Sequence, residues 1–196
     1  MYKRQPYNWS TGLVGCIYTG PIIGAGLGAL WAGIGADKIT LALARRNNGV
    51  REPEQRLWPL LLTAFLSCIG LIVWGVGAAK EIHWAGLATG LAILTFSCVA
   101  GGSVALSYNI DCFKEMSGDS TTAIMIIRNT LGFAISYAIT PWWTNMGLQN
   151  AFILAGFLSL ICTLTFLLMV WKGKYLRARS AERYWRYSKE CFSVVH

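Results

Sequence analysis

The chain has 196 residues, 55% of them hydrophobic and only 13% charged, with a formal net charge of +8 and a mean hydropathy of +0.47. A soluble domain carries about 25% charged residues, so half the surface charge that water requires is missing. The composition argues against a soluble enzyme, and the basic excess reads as membrane topology rather than as nucleic-acid binding.

In chain order, Met1–Ser10 is polar and lacks the charge-then-apolar pattern of a signal peptide. Asn8-Trp9-Ser10 is a glycosylation sequon, expected to stay unused because it falls within a few residues of the bilayer. Five apolar segments follow, at about 12–36, 57–79, 84–108, 122–143 and 148–171. Each can cross about 30 Å of hydrocarbon at about 1.5 Å per residue, with length left for tilt. None has Asp, Glu or Lys in its middle, and none has the polar face of a soluble bundle helix. The expected fold is all-α: a polytopic membrane protein of five transmembrane helices.

The first segment carries Gly20, Gly24, Gly28, Ala32 and Ala36 at four-residue spacing. On a helix these form one stripe along which another backbone approaches closely. Gly24-Ala25-Gly26 follows no strand, so it is not a dinucleotide-binding turn, and no cofactor is expected.

The 37–56 segment reads as a charged loop with Lys38, Arg45, Arg46, Arg51 and Arg56 against Asp37, Glu52 and Glu54. Asp37 stands where the first helix is expected to end, and there the helix dipole disfavours an anion by about 0.3–1 kcal/mol. It therefore calls for a partner: Arg45 or Arg46, or the N-terminus of another helix, which it would hold as a latch.

In the third segment Gly86, Gly90 and the Gly101-Gly102 pair allow close packing and bending. The Ser and Thr residues of the spans are expected to bond their own backbones one turn back. Tyr108, Asn109, Asp111, Arg128 and Asn129 gather near the junction of the third and fourth spans, as candidates for a pathway or gate. Arg128 is either an interfacial anchor or the partner of Asp111. Trp84, Trp142, Trp143 and Trp171 suit the two aromatic belts.

Six scattered cysteines and two histidines offer no metal site, disulfide framework or nucleophilic pair. Fourteen of the seventeen Lys and Arg residues fall in the 37–56 loop, around the third-to-fourth junction and in the 172–196 tail. That bias predicts a cytoplasmic C-terminus and an external N-terminus. Five spans that begin abruptly read as the end of a longer protein.

Gly33-Ile34-Gly35-Ala36-Asp37-Lys38 resembles the G-x-L-x-D-R/K loop signature of the major facilitator superfamily. "ARRNNGVREPEQRL" is similar to a stretch of its fungal proton-coupled antiporter branch, and the likeness continues through "SYNIDCFKEMSGDS", "IIRNTLGFAISYAITPW", "NMGLQNAF" and "WKGKYLR". Gly35 replaces the usual leucine, an expected loosening of the packing.

The resemblance implies a twelve-span protein in two six-helix halves, of which these five spans are the eighth to twelfth. It implies a gating loop comprising Gly33, Asp37, Lys38, Arg45, Arg46, Glu52, Glu54 and Arg56. In it the aspartate meets a helix N-terminus of the opposite half and stabilises the outward-open state. Substrate would sit between the halves, lined in part by the 84–108 span. The expected function is secondary transport of a small molecule by alternating access with proton coupling, the chain alone being an inactive C-terminal fragment. Its expected partners are the bilayer, an unidentified small-molecule substrate, and the missing N-terminal half or another helical bundle, with the plasma membrane as its location. The alternative is a non-transporting membrane protein that binds partner helices through the glycine stripe.

Overall fold

The computed structural model of the protein describes residues 15–47, 49, 52–80, 82–173, 175, 178, 179, 181, 185 and 186. The sequon, the basic pair Lys3 and Arg4 expected to be external, Arg51, and Lys174, Arg177, Arg183 and Lys189 of the tail lie outside the described residues.

The described chain is helical, with α1 (Thr19–Leu30), α2 (Ala36–Arg46), α3 (Leu60–Ala79), α4 (Trp84–Cys112), α5 (Ser117–Met146) and α6 (Leu148–Leu164). Short 3-10 turns occupy Pro53–Leu57 and Lys114–Met116. Among the described residues, five helical runs are long and apolar enough to cross a membrane: Gly15–Arg46, Pro53–Ala79, Trp84–Cys112, Lys114–Met146 and Leu148–Gly173. The protein is an all-α, multi-pass integral membrane protein.

Backbone proximity at small residues organises the bundle. A methyl group added at Gly20, Gly24 or Gly28 would come under 3.0 Å from the carbonyl oxygens of Ala88, Ala92 and Phe96 respectively, so α1 lies directly on α4. Ala36, Thr40 and Ala44, all buried, carry the same four-residue stripe into α2. Ala32 between them is half-buried. This corrects one expectation: the stripe is consumed inside the chain and is no free surface for partner helices.

On the next face of α4, a Cβ at Gly90 would lie 3.1 Å from the backbone nitrogen of Trp74, and one at Gly70 would lie 3.0 Å from that of Leu94. These place α3 against α4. In turn α6 packs on α3, where Gly156 fits beside the Cys68 carbonyl, Ser67 and Ser159 share a hydrogen bond of 2.7 Å, and Trp74 meets Phe152 edge-on at 4.7 Å. The spatial order is thus α1, α4, α3, α6. Gly147, at φ 80°, turns the chain sharply from α5 to α6. The α5 helix itself stands off from the others, and the described side chains from Thr122 to Pro141 are all exposed.

The Gly101-Gly102 pair lies within an uninterrupted α4, and Gly101 faces the Thr63 hydroxyl. The irregular turn is in the first run, where Trp31–Gly35 is a single π turn between α1 and α2. There the packing is tight rather than loosened, because the Trp31 ring fills the space beside Gly35, only 2.6 Å from where a Cβ would stand. Most Ser and Thr residues of the spans do bond their own helix, as Thr63, Thr95, Ser97 and Thr163 illustrate.

Candidate functional site: a charged clasp at one end of the bundle

The first helical run does not stop at Ala36. It continues through Asp37 and Lys38 to Arg46, so much of the expected loop is helix. The dipole penalty argued for Asp37 therefore falls away, because the effect is confined to the last turn of a helix and Asp37 stands nine residues before Arg46. Arg45 and Arg46 occupy that last turn, where a cation is favoured.

The partner of Asp37 is Arg56, rather than Arg45 or Arg46. Arg56 sits in the 3-10 turn that Pro53 opens. One nitrogen of its guanidinium, Nη2, donates to Asp37 Oδ1 at 3.1 Å, and the other, Nη1, donates to Asp111 Oδ2 at 2.8 Å. Its planar fork suits such double use. The side chains are 20%, 48% and 36% exposed for Arg56, Asp37 and Asp111, so the contacts are sheltered without being buried. Arg56 thus joins the base of the first run, the connecting turn and the end of α4.

Beside this clasp lies a cavity of about 230 Å³ lined by Thr40, Glu52, Pro53, Arg56, Asp111 and Lys114. Below it is the apolar cluster of Ala36, Leu57, Leu60, Val104 and Phe166, with Tyr108 packed against it. Asn109, 7% exposed, accepts a 2.7 Å hydrogen bond from Ser120 and so ties α4 to the start of α5. Glu54 is also buried, and it packs closely on Gly173, where an added Cβ would lie 2.9 Å from Glu54 Oε1.

The expected gating residues therefore separate. Asp37, Arg56 and Asp111 come together; Glu52 lines the adjoining cavity; Glu54 seats the connecting turn on the last run; Gly33, Lys38, Arg45 and Arg46 are exposed. Arg128 does not meet Asp111, which Arg56 holds, and lies instead beside α4 at another cavity. The sequence signal for the clasp was weak. Arg56 and Asp111 are 55 residues apart, and only their shared place at the charged ends of two spans hints at the contact. Among the described residues no His, Cys, Asp and Glu group could hold a metal.

The chain is 32% identical over 186 residues to an uncharacterized MFS-type transporter of Schizosaccharomyces pombe, covering 95% of this chain and 32% of that protein. It is 30% identical over 176 residues to the protein HOL1 of Saccharomyces cerevisiae, covering 90% and 30%. It is 32% identical over 174 residues to the MFS transporter cpaT of Aspergillus oryzae, covering 89% and 35%. No protein-family model and no solved structure matches it. Over nearly all its length the chain is homologous to fungal MFS-type transporters, and it spans about a third of each of these relatives.

Proposed function

We propose that this chain is the C-terminal part of a major facilitator secondary transporter for small molecules, its five runs being the eighth to twelfth of twelve spans. The observation that carries the reading is similarity across 95% of the chain to a transporter of which it covers only a third. Alternating access needs two halves that rock against each other around a shared site, so the chain alone moves nothing. The bias of basic residues supports a cytoplasmic charged end and tail; the plasma membrane is the proposed location.

Within that transporter the clasp works as one side of the cytoplasmic gate. Arg56 fixes the Asp37 carboxylate, while the remaining exposure of Asp37 lets it accept from the free N–H groups at a helix N-terminus of the other half. Each such contact is worth about 0.3–1 kcal/mol when exposed, enough to bias two states without freezing either. Proton coupling needs an acid deep in the membrane. The middles of these five runs contain none, so either that acid lies in the missing part, the seventh span included, or the driving force is a different one.

The test compares sealed vesicles holding this chain alone with vesicles holding it together with the N-terminal two thirds of the S. pombe relative, using a panel of charged fluorescent dyes and drugs. Movement only when both pieces are present is expected, and Asp37→Asn should slow it at equal protein level. Movement by the chain alone above empty vesicles would refute the reading.

A further inference from the structure

The α5 helix carries a basic residue that the clasp does not use. Arg128 stands six residues beyond Thr122, about 9 Å further into the apolar span at about 1.5 Å per residue. Among the described residues it forms no ion pair. It borders a cavity of about 310 Å³ with Cys98, Gly102 and Ala105 of α4 and Ile124 and Met125 of α5. Snorkelling to the interface is the competing fate of such a side chain. However, Gly102 lies ten residues before Cys112, about 15 Å along α4 from its charged end.

Apart from Met125, Ile139 and Trp143, the rest of the same face is polar or small. At about 100° per residue, Arg128, Gly132, Ser136, Asn129 and Thr140 fall within an arc of about 120°. A Cβ at Gly132 or Gly102 would meet nothing within 4 Å. Thr140 and Ile139 border a second cavity of about 190 Å³, against Ala151, Phe152 and Ala155 of α6. The arc therefore runs from one gap to the other, along the side of α5 that stands off from α4 and α6. The hydroxyl of Ser136 and the amide of Asn129 bond nothing among the described residues, unlike Thr130 on the opposite face, which bonds the Ile126 carbonyl. A lipid-facing helix would leave that arginine and those polar groups unsatisfied at high cost.

We propose that this arc is the wall of a water-filled slot and that Arg128 is its anion-binding group, taking the carboxylate or phosphate of a small organic anion. The proposal deepens the transporter reading and rests on it for its physiological meaning. It requires neither Asp37 nor Arg56.

The test is cysteine accessibility in membranes, in a chain with Cys16, Cys98, Cys112, Cys162 and Cys191 changed to alanine and the buried Cys68 kept. Gly132→Cys and Ser136→Cys are compared with Phe133→Cys and Tyr137→Cys, which stand outside the arc. The probes are the impermeant sulfonatoethyl (anionic) and trimethylammonioethyl (cationic) methanethiosulfonates. The two positions on the arc should react at least tenfold faster than the two controls, and faster with the anionic reagent. Arg128→Gln should lower the anionic-to-cationic rate ratio by on the order of a hundredfold, the effect of one charge about 10 Å away at an effective dielectric of about 20 acting in opposite senses on the two reagents. Arg128→Lys should largely restore it.

Benzoate and phenyl phosphate added during labelling tell carboxylate from phosphate by which one slows modification at position 132. Equal reactivity inside and outside the arc, an unchanged ratio in Arg128→Gln, or protection by neither anion each overturns the proposal. Labelling needs no transport, so a chain that moves no solute can still pass this test, and a working transporter can fail it.

Discussion

Replacing Arg56 by glutamine removes one cation from between two carboxylates. An exposed ion pair is worth about 0.2–1 kcal/mol, and a hydrogen bond to a charged group about 1.5–3 kcal/mol. With Arg56 20% exposed and its partners 48% and 36% exposed, a value near 1 kcal/mol per contact is appropriate, or about 2 kcal/mol for both. Asp37 and Asp111 would then face each other at about 8 Å, repelling by about 0.5 kcal/mol in water and about 2 kcal/mol at an effective dielectric of 20. Arg56→Gln should therefore cost about 3 kcal/mol.

The assay is sodium dodecyl sulfate unfolding from maltoside micelles, followed by far-ultraviolet circular dichroism, in a double-mutant cycle with Asp37→Asn and Asp111→Asn. Either aspartate variant alone should cost less than Arg56→Gln, because each also relieves repulsion. Combined with Arg56→Gln, each should cost less than the sum of the singles. Raising salt to about 1 M, where the screening length is about 3 Å, should narrow the gap between Arg56→Gln and the parent. A loss below about 0.5 kcal/mol for Arg56→Gln, the ordinary size of a surface substitution, would refute the clasp as a structural tie. Strict additivity with both aspartates would do the same.

Gly24→Val should destabilise the chain by about 1–3 kcal/mol through forced separation of α1 from α4, while Gly26→Val, with nothing within 4 Å of its Cβ, should change little. Equal thermal stability of the two variants in micelles would contradict the helix pairing. Gly35→Leu, which restores the usual residue of the loop signature, should cost a similar amount of about 1–3 kcal/mol because its side chain meets the Trp31 ring. Adding Trp31→Ala should recover part of that loss, and a double variant no more stable than Gly35→Leu would show that the ring is not the obstacle.

How much of this was legible in advance depends on the range of the interaction. Span number, the glycine stripe and the basic bias are local or periodic properties, so they appear in the residue order. The first helix runs past the charges that would be expected to end it. Asp37-Lys38-Ile39-Thr40-Leu41-Ala42-Leu43-Ala44 keeps Ala36, Thr40 and Ala44 on the buried face, and tertiary packing of that face sustains the helix. Glu54 looked like one more loop charge. It is buried against Gly173, more than a hundred residues later, and no local pattern contains that fact.

The sequence by itself determined an all-helical membrane protein of five spans with its basic residues gathered at one end, because the hydrocarbon thickness and the cost of unpaired backbone groups leave an apolar chain few alternatives. Only the tertiary structure decided which carboxylates share Arg56, which helix consumes the glycine stripe, and which helix stands apart with an arginine on its face. Those choices depend on how helices distant in sequence meet. A hydrophobic pattern specifies that a face is covered, but many partners can cover it; shape and charge at the contact select one.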